Sequence, residues 1–191
     1  MQPSKGKDNN AHAALAGIDS LMWRRADSAF AVLQEFVVGP EAEELDTFDG
    51  HYCQLLISEL LYKNDCEQTN REELLQAVSY FDSLVREAPP LQRGAGGLKT
   101  PQFPDLNDNI TFLDSRTHYI TGVGYYEKDS VVQACAEYLK ALETMEEHFE
   151  EKDLVGKKAQ FMTYIYNRLG DMFEEQLLAE PAIACYKQAL F

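Results

Sequence analysis

Basic residues are in short supply in this chain. Lys and Arg number 17 against 32 Asp and Glu, a net charge of −15 over 191 residues. Nucleic-acid binders gather Lys and Arg on one face. Here no basic cluster exceeds Arg24–Arg25 or Lys157–Lys158, which argues against phosphate-backbone binding. The acid surplus favours cationic partners at low salt. The four cysteines, Cys53, Cys66, Cys135 and Cys185, form no C-x2-C pair, so neither a zinc site nor a disulfide framework is expected. Cys135 and Cys185 fall in apolar helical stretches and read as small core residues. His12, His51, His118 and His148 show no H-x3-H or E-x2-H spacing, so helical metal ligation lacks its signature. His148 stands among the carboxylates of Glu143 to Glu151, which read as a solvated face. Phosphate-cradling glycine motifs and Gly-x-Ser-x-Gly are missing, and Gly94 to Gly97 follows no strand. No apolar run approaches the ~18–20 residues of a membrane span. The longest candidates, such as Leu55 to Leu61, are broken, here by Ser58 and Glu59. No signal-peptide pattern opens the chain: Met1 to Asn10 is polar, a native start or a tether left by trimming. The expectation is a non-enzyme with no catalytic residues, no metal and no cofactor. It has no nucleic acid bound through this domain and no membrane span in this chain. The compartment, cytoplasmic or periplasmic, stays open, with tethering to a membrane in a longer protein as one option.

What the chain does have is a hydrophobic content of 45% with 11% aromatics, enough for a core. It also has an internal repeat. Gly122, Tyr125, Ala134, Tyr138 and Ala141 recur 48 residues later as Gly170, Phe173, Ala182, Tyr186 and Ala189. A glycine and an aromatic on one helix, then Ala-x3-Tyr-x2-Ala on the next, describes a helical hairpin repeated. The small residues let paired helices approach closely, with Ala134 and Ala182 opposite the glycines. Tyr125 and Phe173 fill the inside of each hairpin, and Tyr138 and Tyr186 plug the gap toward the next one.

Periodicity divides the chain into a disordered arm over 1–12 and a helical domain over 13–191. The hairpin units lie at about 13–38, 47–86, 109–151 and 154–191. Asp27 is expected to cap the second helix and Gly39-Pro40 to end it. Ala88 to Asp108 holds four of the seven prolines and three glycines, and is expected to be a loop between repeats. The second unit has a long polar turn, Cys66 to Asn70. The 48-residue period exceeds the 34 of a standard tetratricopeptide by about 14, placed in lengthened helices. The expected fold is all-α: an α-solenoid of stacked antiparallel helical hairpins, about eight helices, with superhelical tendency. Ala189, Leu190 and Phe191 close the chain on apolar residues. They suggest a longer array, a covered end, or self-association through the C-terminal helix.

The fourth unit, Tyr166-x2-Leu169-Gly170-x2-Phe173 followed by Ala182-x3-Tyr186-x2-Ala189, resembles the tetratricopeptide (TPR) consensus. The third departs from it at His118 and Thr121, and the first two match in outline. The whole chain, with Ala26 to Ala29 opening its second helix, also looks like the N-terminal repeat region of bacterial membrane-tethered TPR regulators. The resemblance implies a protein-interaction scaffold in which the first helix of each unit lines a concave groove. By spacing from the two glycines, the implied groove residues are Arg116, Tyr119, Val123, Tyr126 and Glu127, then Tyr164, Asn167, Arg168, Asp171 and Glu174. Acidic Asp171, Glu174 and Glu127 argue against a carboxylate clamp. A second reading makes the repeats a sensor or regulatory domain of a larger membrane-tethered signalling or transcription protein.

Overall fold

The computed structural model describes residues 8–87 and 104–190. Among the described residues the chain is helical without strands, with eight α-helices and packing between consecutive helices that fits a helical repeat. They are α1 Asp8–Met22, α2 Ala26–Val38, α3 Thr47–Lys63, α4 Arg71–Glu87, α5 Pro104–Tyr126, α6 Val131–His148, α7 Lys157–Glu175 and α8 Ala179–Gln188. Two compact units divide between Ala77 and Val78, inside α4.

In the first unit, Leu15, Ile18 and Met22 of α1 and Ala29, Leu33 and Phe36 of α2 are buried at helical spacing. α1 begins at Asp8, inside the stretch expected to be a disordered arm. The cause is a long-range tie: His12 Nδ1 lies 2.6 Å from Asp49 Oδ1 of α3, and Ala11 is buried beside it in sequence. Asp27 does not cap α2, since the N-cap is Arg25 and Asp27 lies in the first turn. Gly39 ends α2, and its N–H donates to Phe36 O. Pro40 then opens a short 3-10 helix, Pro40–Glu44. Asp46 caps α3 by accepting from Asp49 N–H at 2.8 Å.

Three hairpin turns share one geometry. Asp65, Asp129 and Leu177 each adopt positive φ, at 54°, 56° and 59°. After each, the next N–H donates back five residues: Cys66 to Leu61 O, Ser130 to Tyr125 O, Leu178 to Phe173 O. This is the left-handed helix stop with its six-to-one bond. The polar turn over Cys66 to Asn70 is ordered by Asn70, whose Nδ2 donates to Gln54 O while its Oδ1 accepts from Ser58. The loop expected at 88–108 lies over 88–103 outside the described residues, and 104–108 already belongs to α5.

The second unit shows why the repeat needs its glycines. A Cβ on Gly122 would stand 2.7 Å from Tyr138 Cε1, and one on Gly170 2.5 Å from Tyr186 Cε1. Each tyrosine therefore seats on the glycine of its own hairpin. The expectation that these rings plug the gap toward the next unit is corrected: the ring fills the place left by the missing side chain. Ala134 contributes its carbonyl, 3.2 Å from a Gly122 Cβ, to the same close approach.

Candidate functional site

α5 sits at the centre of the second unit. Every residue from Thr111 to Val123 is buried, although seven of them are polar or charged (Thr111, Asp114, Ser115, Arg116, Thr117, His118 and Thr121). Packing covers the helix on more than one side. Tyr119 meets Tyr138 of α6 at 5.5 Å and Phe161 of α7 at 5.4 Å, and Phe112 meets Phe161 edge-on at 5.5 Å. Buried polar groups must find partners. Ser115 donates to Ala141 O at 2.7 Å, and Thr117 to Asp114 O at 2.7 Å. The Arg116 guanidinium lies 5.4 Å over the Phe112 ring.

Asp114 and His118 stand one helical turn apart on one face. Asp114 Oδ1 lies 3.8 Å from His118 Nε2, and Asp82 Oδ1 of α4 lies 3.5 Å from the same nitrogen. On the other side of the ring, His118 Nδ1 lies 2.6 Å from Glu137 Oε2 of α6. Lys140 Nζ donates to both Asp82 oxygens at 2.9 Å. Asp114 and His118 form a buried floor, while Asp82, Glu137 and Lys140 are partly exposed at the rim.

The electrostatics separate the two aspartates. Burial pushes Asp114 up to about 6; His118 draws it down and Asp82 adds to the rise. For Asp82, burial acts upward, but the Lys140 ammonium and His118 outweigh it and hold the carboxyl below its usual range. A carboxyl raised from near 4 to about 6 binds more protons folded than unfolded between those values. Its contribution to stability therefore falls as pH rises through that window and stays lost above it. In buffer containing EDTA, Asp114→Asn is expected to stabilise the chain by about 2 kcal/mol at pH 8 and by little at pH 5. Urea denaturation at the two pH values checks this. An equal gain at both would contradict the shift.

The groove residues expected from the repeat separate into two groups. Arg116, Tyr119 and Val123 are 0%, 7% and 2% exposed, so they offer no surface to a partner. The contacts of α5 with α6 and α7 cover positions that spacing alone placed in a groove. Of the others, Tyr126, Arg168, Asp171 and Glu174 come together. Tyr126 donates to Glu175, and Arg168 and Asp171 bear on the same hydroxyl. Arg168 Nη1 lies 3.9 Å from Asp171 Oδ2. Tyr186 donates to Asp171 at 2.8 Å and Glu174 at 2.9 Å. The Asp171 bond first, then partial burial and Glu174, raise its phenol above the usual range. Tyr164 accepts from Gln160 at 2.6 Å, while Asn167 and Glu127 are exposed. An apolar hollow of about 390 Å³, not expected from sequence, lies among Val132, Cys135 and Leu139 of α6, Met172 and Phe173 of α7, and Leu178.

Compared with known protein families, with curated proteins and with solved structures, the chain gives no match. Among the described residues no helix is long and apolar enough to cross a membrane.

Proposed function

We propose that the chain is a non-catalytic protein-interaction scaffold of the tetratricopeptide type, holding a basic segment of a partner protein along the outer row of α7. The observation that carries this reading is that row itself. Tyr164, Asn167, Arg168, Asp171 and Glu174 are at least partly exposed at helical spacing, and Tyr126 of α5 joins them through Glu175. Along it, Asp171, Glu174 and Glu175 stand against the guanidinium of Arg168, so the row carries net negative charge. Aromatic and amide groups beside carboxylates suit a peptide with Lys or Arg side chains, drawn in by complementary charge. The matched glycine–tyrosine seats and three equivalent hairpin stops support a repeat scaffold beneath it.

The experiment is affinity capture with the full chain against Tyr126→Ala/Asn167→Ala. Neither side chain is buried, so unfolding stability should change by no more than about 0.5 kcal/mol. Proteins captured by the native chain should be lost at least tenfold from the variant, and capture should weaken with added salt. Equal capture by a variant of native stability would place the binding surface elsewhere, with the α6–α7 hollow next in line.

A further inference from the structure

We propose that Asp82, Asp114 and His118 bind one divalent first-row transition cation with the ligand preference of zinc. Each of the three side chains offers one donor atom, and these atoms all lie within 4.8 Å of one another. Their separations of 3.5 and 3.8 Å from the imidazole nitrogen lie near the ~3.3 Å between ligand atoms around a tetrahedral ion with bonds near 2.0–2.2 Å. One imidazole nitrogen and two carboxylate oxygens suit Zn²⁺, Mn²⁺, Fe²⁺ or Co²⁺ better than the all-oxygen preference of Mg²⁺ or Ca²⁺.

A second observation concerns Asp114 alone. It is 1% exposed, and its Oδ1 accepts no hydrogen bond. Leaving such an acceptor unsatisfied costs free energy. The histidine does not repair this well. Both carboxylates stand beyond the roughly 2.7–3.2 Å of a good N–H···O bond. In the tautomer that donates from Nδ1 to Glu137, Nε2 presents a lone pair beside two carboxylate oxygens, which is the form of the ring that ligates a cation. That arrangement calls for a positive centre between the three atoms. A carboxylate on the far nitrogen is also what orients a metal-bound histidine and strengthens it as a ligand.

Charge leads to the same ion. The carboxylates of Asp82, Asp114 and Glu137 outnumber the Lys140 ammonium and the largely exposed Arg86 guanidinium, 3.9 Å from Asp82 Oδ2, so the cluster keeps negative charge that attracts a cation. Lys140 can keep Asp82 Oδ2 while Oδ1 turns to the cation, because a carboxylate offers lone pairs on both oxygens. The partly exposed rim at Asp82, Glu137 and Lys140 is the way in. The bound ion would tie α4 to α5 and add to the stability of the second unit by mass action.

The test uses the full chain stripped with EDTA, desalted and kept reduced, titrated with Zn²⁺ by calorimetry at pH 7.5. The expected result is one equivalent bound. Asp82→Asn/Asp114→Asn should bind it at least tenfold more weakly while melting as a folded protein. Co²⁺ should give visible d–d bands without a thiolate charge-transfer band, and Mg²⁺ in excess should not displace it. Equal Zn²⁺ affinity in the folded double variant would overturn the proposal, as would a thiolate band, which would assign the metal to a cysteine. Lys140→Met supplies an independent arm should the double variant unfold. Without the ammonium competing for Asp82, Zn²⁺ should bind several-fold more tightly, and weaker binding would overturn the site.

Discussion

Gly122→Leu is expected to destabilise the chain by about 3 kcal/mol, at the upper end of what overpacking costs. The new side chain would begin 2.7 and 2.8 Å from two atoms of the Tyr138 ring and 3.2 Å from the Ala134 carbonyl. Tyr138 is fully buried and held against Tyr119 at 5.5 Å, so the ring has nowhere to move. Gly170→Leu meets the same obstacle in Tyr186, but that ring is only half-buried and can swing aside. Its cost should be smaller, about 1–2 kcal/mol. Gly17 provides the control, because a Cβ there meets nothing within 4 Å. Gly17→Ala should therefore gain up to about 1 kcal/mol from helix propensity alone. Chemical denaturation of the three variants gives the order directly. Equal losses at Gly17 and Gly122 would contradict the packing described.

Arg116→Ala has the other large expected effect, a loss of about 3–5 kcal/mol. Arg116 is the largest fully buried side chain among the described residues, and its guanidinium lies over Phe112. Truncation leaves a cavity in the middle of α5 and strips a charge from a polar interior. Arg116→Met keeps most of the volume and should cost much less, since well-packed apolar replacements of buried charges are often tolerated. Were Arg116 a groove residue in contact with water, alanine would cost no more than about 0.5 kcal/mol. Denaturant midpoints of the two variants separate these cases.

Those two residues also mark where the sequence was readable. The glycine–tyrosine seat was legible because it occurs twice at one spacing, so Gly122 and Gly170 stood out before any contact was known. The helical class and hairpin order followed from apolar periodicity. The role of each tyrosine was misplaced, because spacing shows which residues correspond but not which gap each fills. α5 was misread for a related reason. Thr111, Asp114, Ser115, Arg116, Thr117, His118 and Thr121 resemble a solvated face, and only contacts from elsewhere show otherwise. Those contacts come from Asp82, Glu137 and Ala141, far along the chain. The Asp82–Asp114–His118 cluster had a local trace in Asp114-x3-His118, one turn of helix. Asp82 completes it only through tertiary packing. Tyr164, Asn167, Arg168, Asp171 and Glu174 stay at least partly exposed, because α7 keeps one side unpacked while α5 does not.

The central structural claim is that a missing side chain and a tyrosine ring occupy one place in each of the two matched hairpins, α5–α6 and α7–α8. A double-mutant cycle on Gly170→Leu and Tyr186→Ala measures this most directly, in the full chain by urea denaturation. With the ring present, leucine at 170 should destabilise. With the ring removed, the same leucine fills the vacated space and should cost little, giving a coupling of about 1–2 kcal/mol. Losses that simply add would mean that Tyr186 does not rest on Gly170, and would contradict the repeat packing described here.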